Sequence, residues 1–246
     1  MDREPVLKKP ALCGCLPGIS REKAAEALHT SEVDLLEWRL DLSIQSHSLQ
    51  ETLNALSLLA VTPRLPVLAT NRPVREGGAF EGDEALRFEV LRKAVAAGAE
   101  WVDLEEDTPG EILAEFKAKK IGTVLSHHDF SGTPDRLALH RLAERMARKG
   151  TDILKIVTQA NCPEDNLAVL DLIPFGRRQL GVEVIAFCMG DAGRWSRLAC
   201  LLMGSPWTYV QLPGTSAAAP GQLTSVAMRT LLKTGGWLQG LERVNS

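Results

Sequence analysis

The sequence predicts an α/β protein built as a single (β/α)8 TIM barrel, one catalytic domain over residues 1–246. Three observations carry this expectation. The chain has 246 residues, and barrels of this kind run to about 250. Short apolar runs alternate with longer segments of helical period about eight times along the chain. No low-complexity or Pro/Ser-rich stretch interrupts that alternation to mark a linker.

The candidate strands are Ala11–Leu16, 34–40, 66–70, Trp101–Glu105, 122–126, 152–157, Glu183–Met189 and 207–212. Most are continuously apolar rather than alternating, as expected of parallel strands buried on both faces. The segments between them carry helix signals. Asp83 is placed to cap a helix with Leu86, Val90, Ala94 and Ala97 on one face, ending at Gly98. Thr133 followed by Pro134 reads as an N-cap and first helical residue, with Leu139, Leu142 and Met146 turned inward and a stop at Gly150. Pro163 opens another helix, with Leu167 and Leu170 inward. Strand–helix alternation implies right-handed crossovers and a parallel sheet. Eight units favour a closed barrel over an open doubly wound sheet. No Gly-x-Gly-x-x-Gly follows the first strand, which argues against dinucleotide binding.

Composition narrows the function. The formal net charge is −3, small and of the wrong sign for a protein that neutralises nucleic-acid phosphates. No apolar run reaches the roughly 18 residues of a membrane span. The charged first ten residues lack the apolar centre of a signal peptide. Cys13, Cys15, Cys162, Cys188 and Cys200 form an odd set without metal-ligand spacing, as expected of reduced thiols. Together these imply a soluble, cytoplasmic protein without a membrane or nucleic-acid partner, and with a small-molecule substrate if it is an enzyme.

Barrel active sites form at the C-terminal ends of the strands, and polar residues gather there. They are Glu37 and Arg39 after strand two, Arg72 and Glu76 after strand three, and His127, His128 and Asp129 after strand five. Lys155 lies within strand six, Arg197 follows strand seven, and Gln222 follows strand eight. Lys155 is the sharpest signal because it stands inside the apolar run Ile153-Leu154-Lys155-Ile156-Val157. A lysine there is either paired or neutral, and a neutral amine attacks carbonyls. A structural ion pair inside the barrel is the equal alternative. His127 and His128 are neighbours, so on a strand only one faces the barrel mouth, where an imidazole serves as general base. Two loop histidines bonded to backbone are the plainer reading. Arg197 falls in the first turn of a helix starting near Gly193, where the helix N-terminus and a guanidinium fork together suit a carboxylate or phosphate, though a surface arginine is the plainer reading. Residues 216–222, with Ala217, Ala218, Ala219 and Gly221, read as a mobile loop closing on the site, or equally as an ordinary connection.

Six motifs in order resemble the type I 3-dehydroquinate dehydratase family. They are Glu37-Trp38-Arg39-Leu40-Asp41; Thr70-Asn71-Arg72 leading to Glu76-Gly77-Gly78; and Ser126-His127-His128-Asp129-Phe130 with Thr133-Pro134. Then come Asp152-Ile153-Leu154-Lys155-Ile156; Met189-Gly190 with Ser196-Arg197; and Ala219-Pro220-Gly221-Gln222. The resemblance implies a (β/α)8 barrel that dehydrates 3-dehydroquinate to 3-dehydroshikimate in the shikimate pathway, without metal or cofactor, as a homodimer. It makes Lys155 the lysine that forms an imine with the C3 ketone. His128 becomes the base that removes a C2 proton and then helps the C1 hydroxyl leave, and Glu76 the carboxylate that orients it. Arg197 takes the substrate carboxylate, Glu37, Arg39 and Arg72 its hydroxyls and the site framework, and Gln222 the closing loop.

The chain departs from the family at two positions. Ala218 stands where a serine is frequent, and Cys15 where the first strand often ends in serine. Both are expected to touch substrate, and Ser216 is placed to swing in for the missing hydroxyl. Two other readings remain: a class I aldolase-like Schiff-base barrel, and a non-catalytic relative that binds a metabolite.

Overall fold

The computed structural model describes residues 10–17, 32–59 and 65–238. The charged N-terminus and the remaining stretches lie outside the described residues.

Eight parallel strands form one sheet: β1 (Ala11–Leu16), β2 (Leu35–Arg39), β3 (Val67–Thr70), β4 (Trp101–Glu105), β5 (Gly122–Asp129), β6 (Ile153–Gln159), β7 (Glu183–Met189) and β8 (Trp207–Gln211). Consecutive strands pair from β1 to β7, and β1 pairs with β8. No ladder joins β7 to β8 among the described residues. Phe187 and Tyr209 face each other across that seam, with ring centroids 6.3 Å apart. The architecture is the expected (β/α)8 barrel.

The helices are α1 (Leu40–Ser46), α2 (Leu49–Leu59), α3 (Glu84–Ala96), α4 (Gly110–Ala118), α5 (Arg136–Ala147), α6 (Asp165–Leu170), α7 (Leu172–Phe175), α8 (Ser196–Met203) and α9 (Ser225–Thr234). Asp83 caps α3 as expected, its carboxylate accepting from the Leu86 N–H at 2.7 Å. The expected cap of α5 is wrong by two residues. Asp135 accepts from the Ala138 N–H at 2.8 Å. Thr133 instead donates to the Gln159 carbonyl at 2.9 Å and meets Thr158 at 2.7 Å, because the chain still lies over the end of β6 there. Leu139, Leu142 and Met146 are buried, as the period predicts, but Leu86 and Leu167 are exposed. Both sit in first turns, where the helix has not yet settled onto the sheet.

The barrel interior is built in layers from alternate strands. Side chains two apart on a strand share a face, so Trp101, Asp103 and Glu105 of β4 all point inward. The floor is apolar: Trp101 and Trp207 meet edge to face at 5.6 Å. The layer above is not apolar. It joins Glu37, Asp103, Lys155 and Tyr209, one each from β2, β4, β6 and β8. The curl of the sheet into a barrel brings these four together although they lie far apart in sequence. Hydrophobic burial of Leu12, Leu36, Ala69, Leu104, Leu125, Leu154, Val184 and Val210 against the helices holds the frame around them.

Candidate active site

A cavity opens above the charged layer at the C-terminal ends of the strands. Lys155, buried in β6, forms its floor. Its Nζ lies 3.0 Å from Asp103 Oδ2, 3.7 Å from Glu37 Oε1 and 4.2 Å from the centroid of the Tyr209 ring. The lysine of the resting site is therefore ion-paired, not a bare amine in an apolar strand. Two carboxylates and an aromatic face compensate its lost hydration.

Arg72 lies beside this layer and is fully engaged. Its guanidinium meets Asp103 at 2.9 Å, Glu105 at 2.7 Å and Ser126 Oγ at 2.6 Å. Burial opposes ionisation of Asp103, but Arg72 and Lys155 outweigh it and hold its carboxyl below the usual aspartate range. At Glu105 burial wins over Arg72 and Arg87, and its pKa rises to about 7. Arg39 makes a two-pronged pair with Asp41, at 2.9 and 2.7 Å. Asp41 also accepts from the Ala79 N–H at 3.0 Å, which fixes the loop that carries Glu76. Within that loop Gly77 has φ 73°, and a Cβ there would strike the Phe130 ring. Only glycine relieves both constraints.

The two histidines separate as strand alternation requires. His128 lines the cavity, whereas His127 turns away to Glu106, with its Nδ1 3.0 Å from that carboxylate. Glu76 Oε2 accepts from the His128 backbone N–H at 2.8 Å and lies 3.1 Å from its Nδ1. An ionised Glu76 is an acceptor only, so it selects the tautomer with hydrogen on Nδ1 and leaves Nε2 as the basic nitrogen. Burial, then Arg72, Lys155 and Arg39, press the His128 pKa well below the ordinary value. The ring is uncharged at neutral pH.

Across the cavity, Arg197 stands in the first turn of α8, 1% exposed. It is not a surface arginine. Its Nη2 donates to the Pro220 carbonyl at 3.0 Å, its guanidinium carbon lies 4.5 Å from the Phe187 ring centroid, and its Nε has no partner. No carboxylate pairs with it among the described residues. Burial lowers its pKa to about 10.

Cys15, Ala218 and Gln222 also line the cavity, the last two on the loop between β8 and α9. Ser216 does not: its side chain is exposed and lies outside the lining. The extended loop turns it outward while Ala218 faces in.

The sequence reading overlooked Asp103, Glu105 and Tyr209, together with Val157, Phe187 and Met189, which give the cavity its apolar wall. A signal for the acids was present. Asp103 and Glu105 are two apart within the otherwise apolar Trp101-Val102-Asp103-Leu104-Glu105, which places both on one buried face.

Comparison with known proteins agrees with this geometry. The family model for type I 3-dehydroquinase matches residues 12–238. A 3-dehydroquinate dehydratase of Syntrophobacter fumaroxidans is 50% identical over 225 residues, covering 92% of this chain and 96% of the relative. One from Dehalococcoides mccartyi is 37% identical, over 90% of this chain and 94% of its own length. Among solved structures, the crystal structure of 3-dehydroquinate dehydratase from Geobacillus kaustophilus superposes with a TM-score of 0.84 at 29% identity, covering 96% of this chain and 93% of that one. A match that runs through every strand and keeps the whole fold admits one assignment: the chain belongs to the type I 3-dehydroquinase family.

Proposed function

We propose that the protein dehydrates 3-dehydroquinate to 3-dehydroshikimate, a carbon–oxygen lyase step of the shikimate pathway, through an imine on Lys155. The observation that carries this reading is one cavity holding a buried lysine, a buried histidine held by Glu76, and a buried arginine with no anionic partner among the described residues. A cyclic keto acid with hydroxyls matches all three. Its carboxylate pairs with Arg197, which places the ring between Lys155 and His128.

The steps follow from the groups present. Lys155 gives up a proton to a base of the cavity, and its amine attacks the C3 carbonyl. Loss of water leaves an iminium, a stronger electron sink than the ketone. His128 Nε2 then takes a proton from C2, and the electron pair moves into an enamine. The enamine expels the C1 hydroxyl, which leaves as water with the proton returned by His128. Water hydrolyses the product imine and frees Lys155. Glu76 stabilises the imidazolium that forms midway, and the charges of Asp103 and Glu37 stabilise the iminium. Glu37, Arg39, Arg72, Gln222, Cys15 and Ala218 complete the substrate-facing surface.

The same reading takes the chain as one catalytic domain, active in the cytoplasm as a homodimer. The absence of any helix among the described residues long and apolar enough to cross a membrane is consistent with it. Light scattering on the purified protein tests the dimer.

The decisive experiment is borohydride reduction in the presence of 3-dehydroquinate, followed by peptide mapping. The expected adduct sits on Lys155, and Lys155→Ala loses both the adduct and turnover. Substrate mass on any other lysine refutes the assignment.

A further inference from the structure

The loop between β8 and α9 is tied to the barrel through Gln222, and the tie leads to Lys155. Gln222 Oε1 accepts from the Ala218 N–H at 2.8 Å. A backbone N–H only donates, so this bond fixes which end of the amide is oxygen. Nε2 must then face Cys15, and it donates to Sγ at 3.1 Å. The thiol in turn donates to Glu37 Oε2 at 3.2 Å. The other oxygen of Glu37 accepts from Thr70 Oγ1 at 3.0 Å and lies 3.7 Å from Lys155 Nζ. Cys15 is 3% exposed.

We propose that Cys15 is a positioning residue that couples the seating of the 213–222 loop to the orientation of the Glu37 carboxylate beside Lys155. The proposal rests on reading Lys155 as the imine-forming lysine. The last torsion of a glutamate is soft, so its anchors decide which oxygen faces Nζ. Thr70 holds one oxygen from within the barrel. Cys15 holds the other from the side of the loop, and only while it keeps its proton. A thiol both accepts from Gln222 and donates to Glu37, as the chain of bonds requires; a thiolate does not donate and alanine does neither. Burial and the Glu37 charge push the thiol pKa up, which keeps the proton in place. Cys15 acts here through hydrogen bonds, without nucleophilic chemistry.

Two measurements on the full chain test the link. The first is a cycle of Cys15→Ala, Gln222→Ala and the double variant, read as kcat and KM. Each single change should lower kcat/KM about tenfold, and the double should be no worse than the weaker single, because both break one chain of bonds. Cys15→Ser, which retains donor and acceptor, should recover part of the loss. Fully additive losses, or serine no better than alanine, would overturn the coupling, since a residue that only fills space behaves that way. The second measurement needs no turnover. Cys162 is the exposed thiol and the other four are buried, so Cys162→Ser leaves a background of slow labelling. In that background Gln222→Ala should speed N-ethylmaleimide labelling of Cys15, located by peptide mass, by about tenfold as the loop loses its tie. Equal labelling rates would also overturn the proposal. A parent protein that fails to turn over 3-dehydroquinate counts against the dehydratase reading, and the labelling still decides the link.

Discussion

Arg197 is the cavity residue whose burial is least compensated. A guanidinium with one carbonyl acceptor and one aromatic face has lost most of its hydration without gaining an anion. Binding a carboxylate relieves that cost, so the interaction should dominate substrate affinity. Arg197→Ala is expected to raise KM by roughly 100-fold, the scale of a charge-assisted pair. Arg197→Lys should recover little, because an ammonium does not reproduce the two-pronged fork; steady-state kinetics on both variants checks this. His128 yields a prediction about pH. Burial and three nearby cations oppose its protonation, so the free base persists as pH falls. The acid limb of kcat/KM should therefore lie below the ordinary histidine value, as a pH–rate profile will show. His128→Ala should lose orders of magnitude in kcat and still trap an imine, while His127→Ala should change kcat little. The choice between these two histidines was legible in the sequence only as an alternation. The family motif selected His128, and the Glu76 contact now supplies the physical reason.

At the scale of the element, β4 explains why a lysine is tolerated in the barrel centre. Asp103 joins Lys155, Arg72 and Ser126 Oγ, the last at 2.6 Å. Removing its charge leaves two buried cations facing a neutral group. Asp103→Asn keeps the shape, and it is expected to destabilise the fold by about 3 kcal/mol. It should also reduce kcat by removing a charge that favours the iminium. Urea unfolding followed by kinetics on the folded fraction separates the two effects; an unchanged midpoint would sink this account of β4. The elements themselves were legible to within a few residues. β1, β4 and β7 match the expected bounds. β5 and β6 extend beyond expectation, to Asp129 and Gln159. Their polar ends read as loop in sequence, yet they continue the ladder because the neighbouring strand is there to pair with.

For the whole molecule, the charged interior predicts an unusual pH response. His128, with its pKa lowered, leaves the unfolded chain binding more protons below about pH 6.5, so it favours stability as pH rises. Glu105, raised from 4.5 to about 7, binds more protons when folded and acts in the opposite sense across the same range. Asp103, lowered, contributes stability above the ordinary aspartate pKa and loses it as pH falls through its own lower value. The first two oppose each other, and the third acts only in acid. Urea midpoints should therefore fall as the pH drops below about 4, where the Asp103 contribution is lost; midpoints that hold steady into that range would contradict this account. The sequence by itself determined the alternation of strands and helices and the parallel (β/α)8 barrel, and it singled out the lysine, histidine and arginine that meet in the cavity. Each is written in local period, in a charge within an apolar run, or in a short motif. Only the tertiary structure decided that Lys155 rests between Asp103 and Glu37, that Arg197 is buried with no anionic partner among the described residues, and that Ser216 faces away. The first fact depends on which side chains from distant strands share a layer, the other two on how α8 and the loop after β8 pack over the strand ends. The curl of the sheet, not any local signal, brings Asp103 and Glu37 within 3 to 4 Å of Lys155.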